Sequence, residues 1–506
     1  MVLTAIICAY IAITAGLFAL AARKKTWMGS AMRTVIIIIS VIISCLISVA
    51  ISSAFSDKIY SFAVEPMMES LGDLTSSVPL LANTMVAIAS MMLAPIIFIF
   101  IFSILRFVLS LLGKIPEKLL LETLVPKKLH IKWISPIIGA VNGALVAIIT
   151  IVPICGYMLL ASNVVSSAQA LVESDTPTET VQLAADAEGE DGGFIDTIAH
   201  LGENPAVKAV SVIASPVFDA LTTADVPTGH EDGSTVKFTL SKDIANVFNI
   251  VEHVGVFMDD MTSGKVTENT QQNMHDLSAA FARSPWTLCF ASDTFSSLAD
   301  TWLVGNEFMG TSSPELPDVF APTFDKALQV IGDVTPKTVE EDLNTIFDIF
   351  YYFLKGDLMN SAASSGDIMA TLGENNILSS IITTLEANER FAPLADEITD
   401  MGMRVVASSI GKVELGSDEQ YDTLVSGLSS SLNDSLDMSK EERDEYVKEA
   451  VKTAFVDYEM EIPEDVALTF SDKMIKDLGG DGEITDEEVH AYLDSYVVVD
   501  GEIVGG

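Results

Sequence analysis

The chain is poor in cysteine, poor in positive charge and empty of catalytic signatures, and each shortage excludes something. Four cysteines in 506 residues (Cys8, Cys45, Cys155 and Cys289) rule out a disulfide-built fold. Three of them lie in apolar runs, where cysteine acts as a small hydrophobe. Cys289 is alone in the acidic remainder, which therefore cannot close an internal disulfide. Only 28 Lys and Arg face 70 Asp and Glu, for a net charge of −42. That balance argues against nucleic-acid binding, which needs clustered cations to release counterions from phosphates. No G-x-S-x-G or Gly-Asp-Ser-Gly-Gly occurs, so a serine nucleophile has no visible site. H-E-x-x-H, C-x-x-C and the phosphate loop G-x-x-x-x-G-K-[ST] are missing too. The six histidines are scattered, and the adjacent Glu252 and His253 point apart on a helix, which excludes a bidentate metal site there.

What is present is divided unevenly. Residues 1–161 hold 11 Lys/Arg and 6 Asp/Glu, leaving 17 and 64 for residues 162–506. The first part contains four apolar stretches near the 20 residues that a bilayer core requires: Leu3–Ala22, Thr34–Ala54, one within Leu81–Leu112, and Ser135–Ala161. No small-residue cleavage site closes the first, so it reads as a retained helix. Arg23, Lys24, Lys25 and Arg33 flank the first connection with no acid among them. Arg106, Lys114, Lys118, Lys127, Lys128 and Lys132 follow the third span, while Asp57, Glu65, Glu69 and Asp73 crowd the second connection around Lys58. Short basic loops stay cytoplasmic, so these residues set the topology: N-terminus outside, two basic loops inside, and everything beyond Ala161 outside. The segment Lys114–Trp133 mixes leucines with lysines and suits an amphipathic stretch in the cytoplasmic interface.

The fourth span carries Gly139, Asn142 and Gly143. Two glycines four apart share a helix face and admit a neighbouring helix, and an asparagine amide avoids lipid. The reading is a packing seam. A pore is disfavoured because the spans hold almost no other strongly polar groups. Four short-looped spans, the basic turn "RKKTWMGSAMR" and the fourth-span opening "IIGAVNGALVA" resemble the colicin V production protein family over about residues 1–161. The resemblance implies a bacterial inner-membrane protein linked to toxin production and envelope physiology. Some members carry an extracytoplasmic serine protease after the spans.

Beyond the spans, Ser174–Gly193 is acidic and broken by Pro and Gly, as in a linker. Residues 194–506 alternate amphipathic helices with turns. Thr338 and Glu341 suggest a capping box ahead of Val339, Leu343, Ile346, Phe350 and Phe353. Ser439 and Glu442 suggest another, with Tyr446, Ala450, Thr453 and Val456 or Asp457 continuing one helix face. Ser234–Ser241 reads as one arm of a hairpin. Turn signals near 305–322 and 411–417 suggest subdivisions. The stretch "DLGGDGEITDEE" aligns with a calcium loop, Asp477, Asp481, Glu483 (through its carbonyl) and Glu488 being the ligands and Gly482 the turn, although Gly479 supplies no oxygen at the third position.

The expectation is an all-α protein: a four-helix transmembrane bundle (1–161), an acidic linker (162–193) and a helical, acidic extracytoplasmic domain (194–506). Membrane lipid and an envelope protein are the expected partners, calcium the one candidate ion, and the bacterial inner membrane the location. The expected role is an envelope scaffold or interaction module tied to toxin production or secretion, with a transporter or channel component and an envelope hydrolase as alternatives.

Overall fold

The computed structural model describes residues 2–23, 27–55, 58, 78–112, 133–173, 200–230, 232–263, 269–308, 311–313, 321–355, 377–412, 418–457, 462–496, 498–499 and 502–503. The chain divides into two compact units: Met1–Gly255 with Arg283–Phe290, and Val256–Ala282 with Ala291–Gly506. The fold is all-α, and the strands among the described residues form three two-stranded antiparallel hairpins.

Four helices open the first unit: α1 (Val2–Ala22), α2 (Trp27–Ala54), α3 (Pro79–Leu112) and α4 (Ile134–Glu173). All four contain stretches long and apolar enough to cross a membrane, with hydropathies of 2.3 to 3.0. Their outward faces are apolar, and small hydroxyl side chains are buried between them together with apolar ones. Ile13, Leu17, Ile42, Leu46, Phe100 and Ile104 are exposed, whereas Ser40, Ser44, Ser48 and Ser52 are buried. Serine at every fourth position gives α2 a narrow face, and narrow faces let helix backbones approach where lipid supplies no hydrophobic drive. The Ser40 and Ser48 hydroxyls bond back to the helix, Ser40 to the Ile36 carbonyl at 2.7 Å, and Ser52 crosses the seam to the Ser90 carbonyl on α3.

A fifth helix, α5 (Pro205–Leu221), belongs to the same unit. Asn204 caps it, accepting from the Ala206 and Val207 amides and from the Thr4 hydroxyl of α1. Val207 and Val210 pack with Ile7 and Cys155, Phe218 covers Gly156 beside Val152, and Leu221 sits among Ile37, Phe98, Phe102 and Val146. The helix therefore slants from the α4 level of Met158 toward that of Val146. A hairpin follows, β1 (Thr223–Pro227) with β2 (Thr235–Thr239), fulfilling the expectation for Ser234–Ser241. Its Val226 and Phe238 are buried against Val78, Leu80 and Trp286, and the Asn83 amide donates to the Pro227 carbonyl at 2.9 Å. Helix α4 continues past Ala161 to Glu173, and α5 with its hairpin joins the spans, so the first unit extends well beyond the expected boundary. The reason is physical: "PAVKAVSVIASPVFDAL" is apolar enough to need a partner surface and too short to span alone.

Among the described residues of the second unit, two clusters of buried apolar side chains stand out. Helices α9 (Ala321–Gly332), α10 (Val339–Lys355), α11 (Ile377–Ala387) and α12 (Ala392–Lys412) enclose Val330, Ile377, Ile381, Leu385 and Phe391. Helices α13 (Asp418–Ser435), α14 (Lys440–Asp457), α15 (Glu464–Leu478) and α16 (Asp486–Ser495) enclose Leu428, Val451, Phe455, Phe470 and Met474. Ser439 and Glu442 form their capping box. Thr338 does not: its hydroxyl is taken by Thr335 at the preceding turn. The buried face of α14 is Val447, Val451, Ala454 and Phe455, one residue away from the face expected, because Phe455 outweighs Tyr446 in apolar area. Helices α6 (Leu240–Ser263), α7 (Thr270–Ala282) and α8 (Pro285–Leu303) complete the described helices. Residues 114–132 and 174–193, read above as interfacial and linker segments, lie outside the described residues, as do 314–320 and 413–417 of the two turn regions.

Candidate functional site

Gly139 and Gly143 bring α4 onto α1. A Cβ on Gly139 would meet Ala22 Cβ at 2.5 Å and the Phe18 carbonyl at 2.8 Å, and one on Gly143 would meet Ala15 Cα and the Thr14 carbonyl at 2.7 Å. Asn142, one step round the helix, faces α2. It is buried, its Nδ2 donates to the Ser30 carbonyl at 2.9 Å, and its Oδ1 accepts from the Thr34 hydroxyl at 2.7 Å. Ser135 completes the join by donating to the Ala22 carbonyl and bonding the Ser30 hydroxyl, each at 2.8 Å. The three residues singled out in the sequence thus hold α4 against two helices at once.

This end of the bundle also carries the described arginines of the helices. Arg23 is exposed just past α1. Arg33 of α2 and Arg106 of α3 line one cavity of about 360 Å³, together with Gly29, Ser103, Phe107 and Ser110. The guanidinium carbon of Arg106 stands 4.8 Å from the Phe18 ring centroid, a cation–π arrangement. No Asp or Glu occurs in α1, α2 or α3, nor in α4 before Glu173, and among the described residues no carboxylate pairs with either arginine. Lys24, Lys25, Lys114, Lys118, Lys127, Lys128 and Lys132 lie outside the described residues. Sequence reading placed Arg33 and Arg106 beside separate loops. What it missed was their convergence, and the usable signal was two arginines in helices lacking any acid.

In the second unit the calcium-like loop forms a tight turn between α15 and α16, with Gly482 in the left-handed region at φ 86°. Two of its candidate ligands, Asp477 and Glu488, have local partners. Glu488 closes a capping box with Thr485, accepting from the Thr485 amide and hydroxyl at 2.9 Å each. Asp477 accepts from the Tyr492 hydroxyl at 2.6 Å and pairs with Lys473 at 3.3 Å. Asn433 braces Ile484 through both its amide and its carbonyl. The Asp481 side chain lies outside the described residues, and no cluster of three potential metal-ligating side chains occurs among those described. Burial, then the bond to Asp477, pushes the Tyr492 phenol well above its ordinary range. Burial pulls Lys473 down, but its bonds to Asp400 and Asp477 outweigh that and leave its amine raised.

Comparison of the chain with protein-family models, with curated proteins and with solved structures finds no match.

Proposed function

We propose that the chain is a multi-pass protein of the bacterial inner membrane that holds a helical, acidic module outside the cytoplasm as an envelope scaffold or interaction platform. The link to toxin production or secretion follows the resemblance of its first 161 residues to the colicin V production family. One observation carries the orientation. Arg23, Arg33 and Arg106 gather at a single end of the helix bundle, while α4 leaves the opposite end toward a region holding 64 acids. Positive residues next to spans are retained in the cytoplasm, whereas acids contribute little to orientation. The scaffold reading draws on the polar groups of the spans. Asn142, Thr34, Ser30 and Ser135 bond to one another or to backbone across helix seams, so they fasten helices together. Phosphatase and green-fluorescent reporters joined after Gly506, or inserted within 113–132, test the orientation. Phosphatase activity is expected only from the first position and fluorescence only from the second; cytosolic fluorescence after Gly506 refutes the reading. Site-directed photocrosslinking from the second unit in intact cells tests the scaffold, and its failure to trap any envelope protein across that surface would count against it.

A further inference from the structure

We propose that Arg33 and Arg106 form a binding site for the phosphate of an anionic phospholipid at the basic end of the membrane helices. The proposal rests on the reading that these helices cross a bilayer. Two guanidiniums share one cavity, and like charges at short range in a low-dielectric setting repel. The helices supply no acid before Glu173, so any compensating anion from this region must come from elsewhere. Arginine is built for phosphate, with planar in-line donors that match two oxygens at once. The Phe18 ring, 4.8 Å from the Arg106 guanidinium carbon, offers no oxygen acceptor, so this contact does not satisfy the N–H donors as a phosphate would. Among the described residues neither guanidinium spends those donors on a hydrogen bond. The cavity, at about 360 Å³, is of the size that holds small polar ligands.

The surroundings favour a lipid over a free ion. Phe107 lines the cavity, and Phe107, Ile104 and Phe100 follow one another along α3 at spacings of three and four, exposed by 65, 61 and 67 %. That spacing places them on one helix face, so an apolar track about 10 Å long runs from the cavity toward the bundle's middle. A headgroup at the arginines and an acyl chain along this track would satisfy both surfaces at once. Basic pockets between membrane helices on the cytoplasmic side are suited to anionic headgroups on general electrostatic grounds.

The test is a titration of the full-length chain in dodecyl maltoside, reading the melting temperature and counting bound lipid by native mass spectrometry. Dioleoyl phosphatidylglycerol is expected to raise the melting temperature and saturate at one tightly held lipid per chain, with phosphatidylcholine and inorganic phosphate ineffective at equal concentration. Arg33→Gln and Arg106→Gln should each weaken the apparent affinity about fivefold and together about thirtyfold, as two cation–headgroup contacts imply. Arg23→Gln, outside the cavity, should leave it unchanged. Should the glutamine variants fail to fold, Ile104→Ser preserves the arginines and should weaken phosphatidylglycerol binding alone. Equal stabilisation by phosphatidylcholine, or affinity untouched by these variants, overturns the proposal. Equal stabilisation by inorganic phosphate replaces it with a soluble-anion site. Because the titration is made in detergent, it is independent of orientation: misplaced reporters would remove the topology and spare the pocket, and lost lipid binding would do the reverse.

Discussion

Adding a single methyl group at Gly143 separates a membrane seam from a membrane surface. An alanine Cβ there would lie 2.7 Å from both Ala15 Cα and the Thr14 carbonyl, and both are backbone, so no side-chain rotation relieves the contact. Ordinary contact begins at 3.4 Å, which requires α1 to withdraw by about 0.7 Å, a shift typical of overpacked cores that cost about 1–3 kcal/mol. The withdrawal also loosens neighbours further along, including the Tyr10–Thr150 hydroxyl pair at 3.0 Å and the packing of Ile7 on Cys155. Against this, alanine in a helix gains about 0.5–1 kcal/mol over glycine. The expected net loss is about 1–2 kcal/mol. Gly16, on α1, supplies an internal control, because a Cβ there meets nothing within 4 Å. Gly16→Ala should be neutral or stabilising by a few tenths to about 1 kcal/mol. The assay is unfolding of the full-length chain from dodecyl maltoside by graded sodium dodecyl sulfate, followed by circular dichroism. Equal shifts for the two variants, or stabilisation by Gly143→Ala, would refute the close approach of α1 and α4.

Three further perturbations report on other parts of the fold. Asn142→Ala removes the bonds to Ser30 and Thr34 and should lower stability in the same assay by about 1–2 kcal/mol, the range of interhelical hydrogen bonds in membranes. Asp342, 1 % exposed, pairs with Arg390 at 3.1 Å and accepts from Asn388, so Asp342→Ala leaves Arg390 without its carboxylate. The expected cost of about 3 kcal/mol should appear as amide exchange across Val339–Lys355 faster by about a hundredfold. The third concerns alkaline pH. The folded chain holds the Tyr492 and Lys473 protons more tightly than the unfolded chain does, so that stability is fully present below pH about 10 and is lost as pH rises beyond it. Tyr492→Phe should lower the melting temperature at pH 7 and flatten its fall above pH 10; an unchanged alkaline slope would remove Tyr492 from that role.

Much of the membrane half was legible because its signals are one-dimensional. Length and hydropathy alone place the four spans, and the Gly139–Gly143 spacing states which face is narrow. The partner of that face was not legible: nothing in "IIGAVNGALVA" says that the glycines meet α1 while Asn142 meets α2. Helix α5 escaped because its 17 residues fall short of a span, and only the folded bundle shows that apolar Val207, Phe218 and Leu221 have somewhere to go. On α14 the cap was read correctly and the buried face missed by one residue, since Tyr446 and Val447 both fit a helical period and only packing chooses between them. The acidic loop at 477–488 holds a detail that spacing does not carry. A ligand spacing can be right while the carboxylates are already engaged, Glu488 by its own helix start and Asp477 by a tyrosine and a lysine.

The way α5 docks bears on what would happen if a protease nicked the chain between Glu173 and His200. Gly202 lies against Ser162, and Asn204 is tied to Thr4 near the chain's beginning. The downstream lip of such a cut is held against α1 and α4, so the fragments should travel together through purification until the helices themselves are pried apart. Cleavage there would be a scar and not a release.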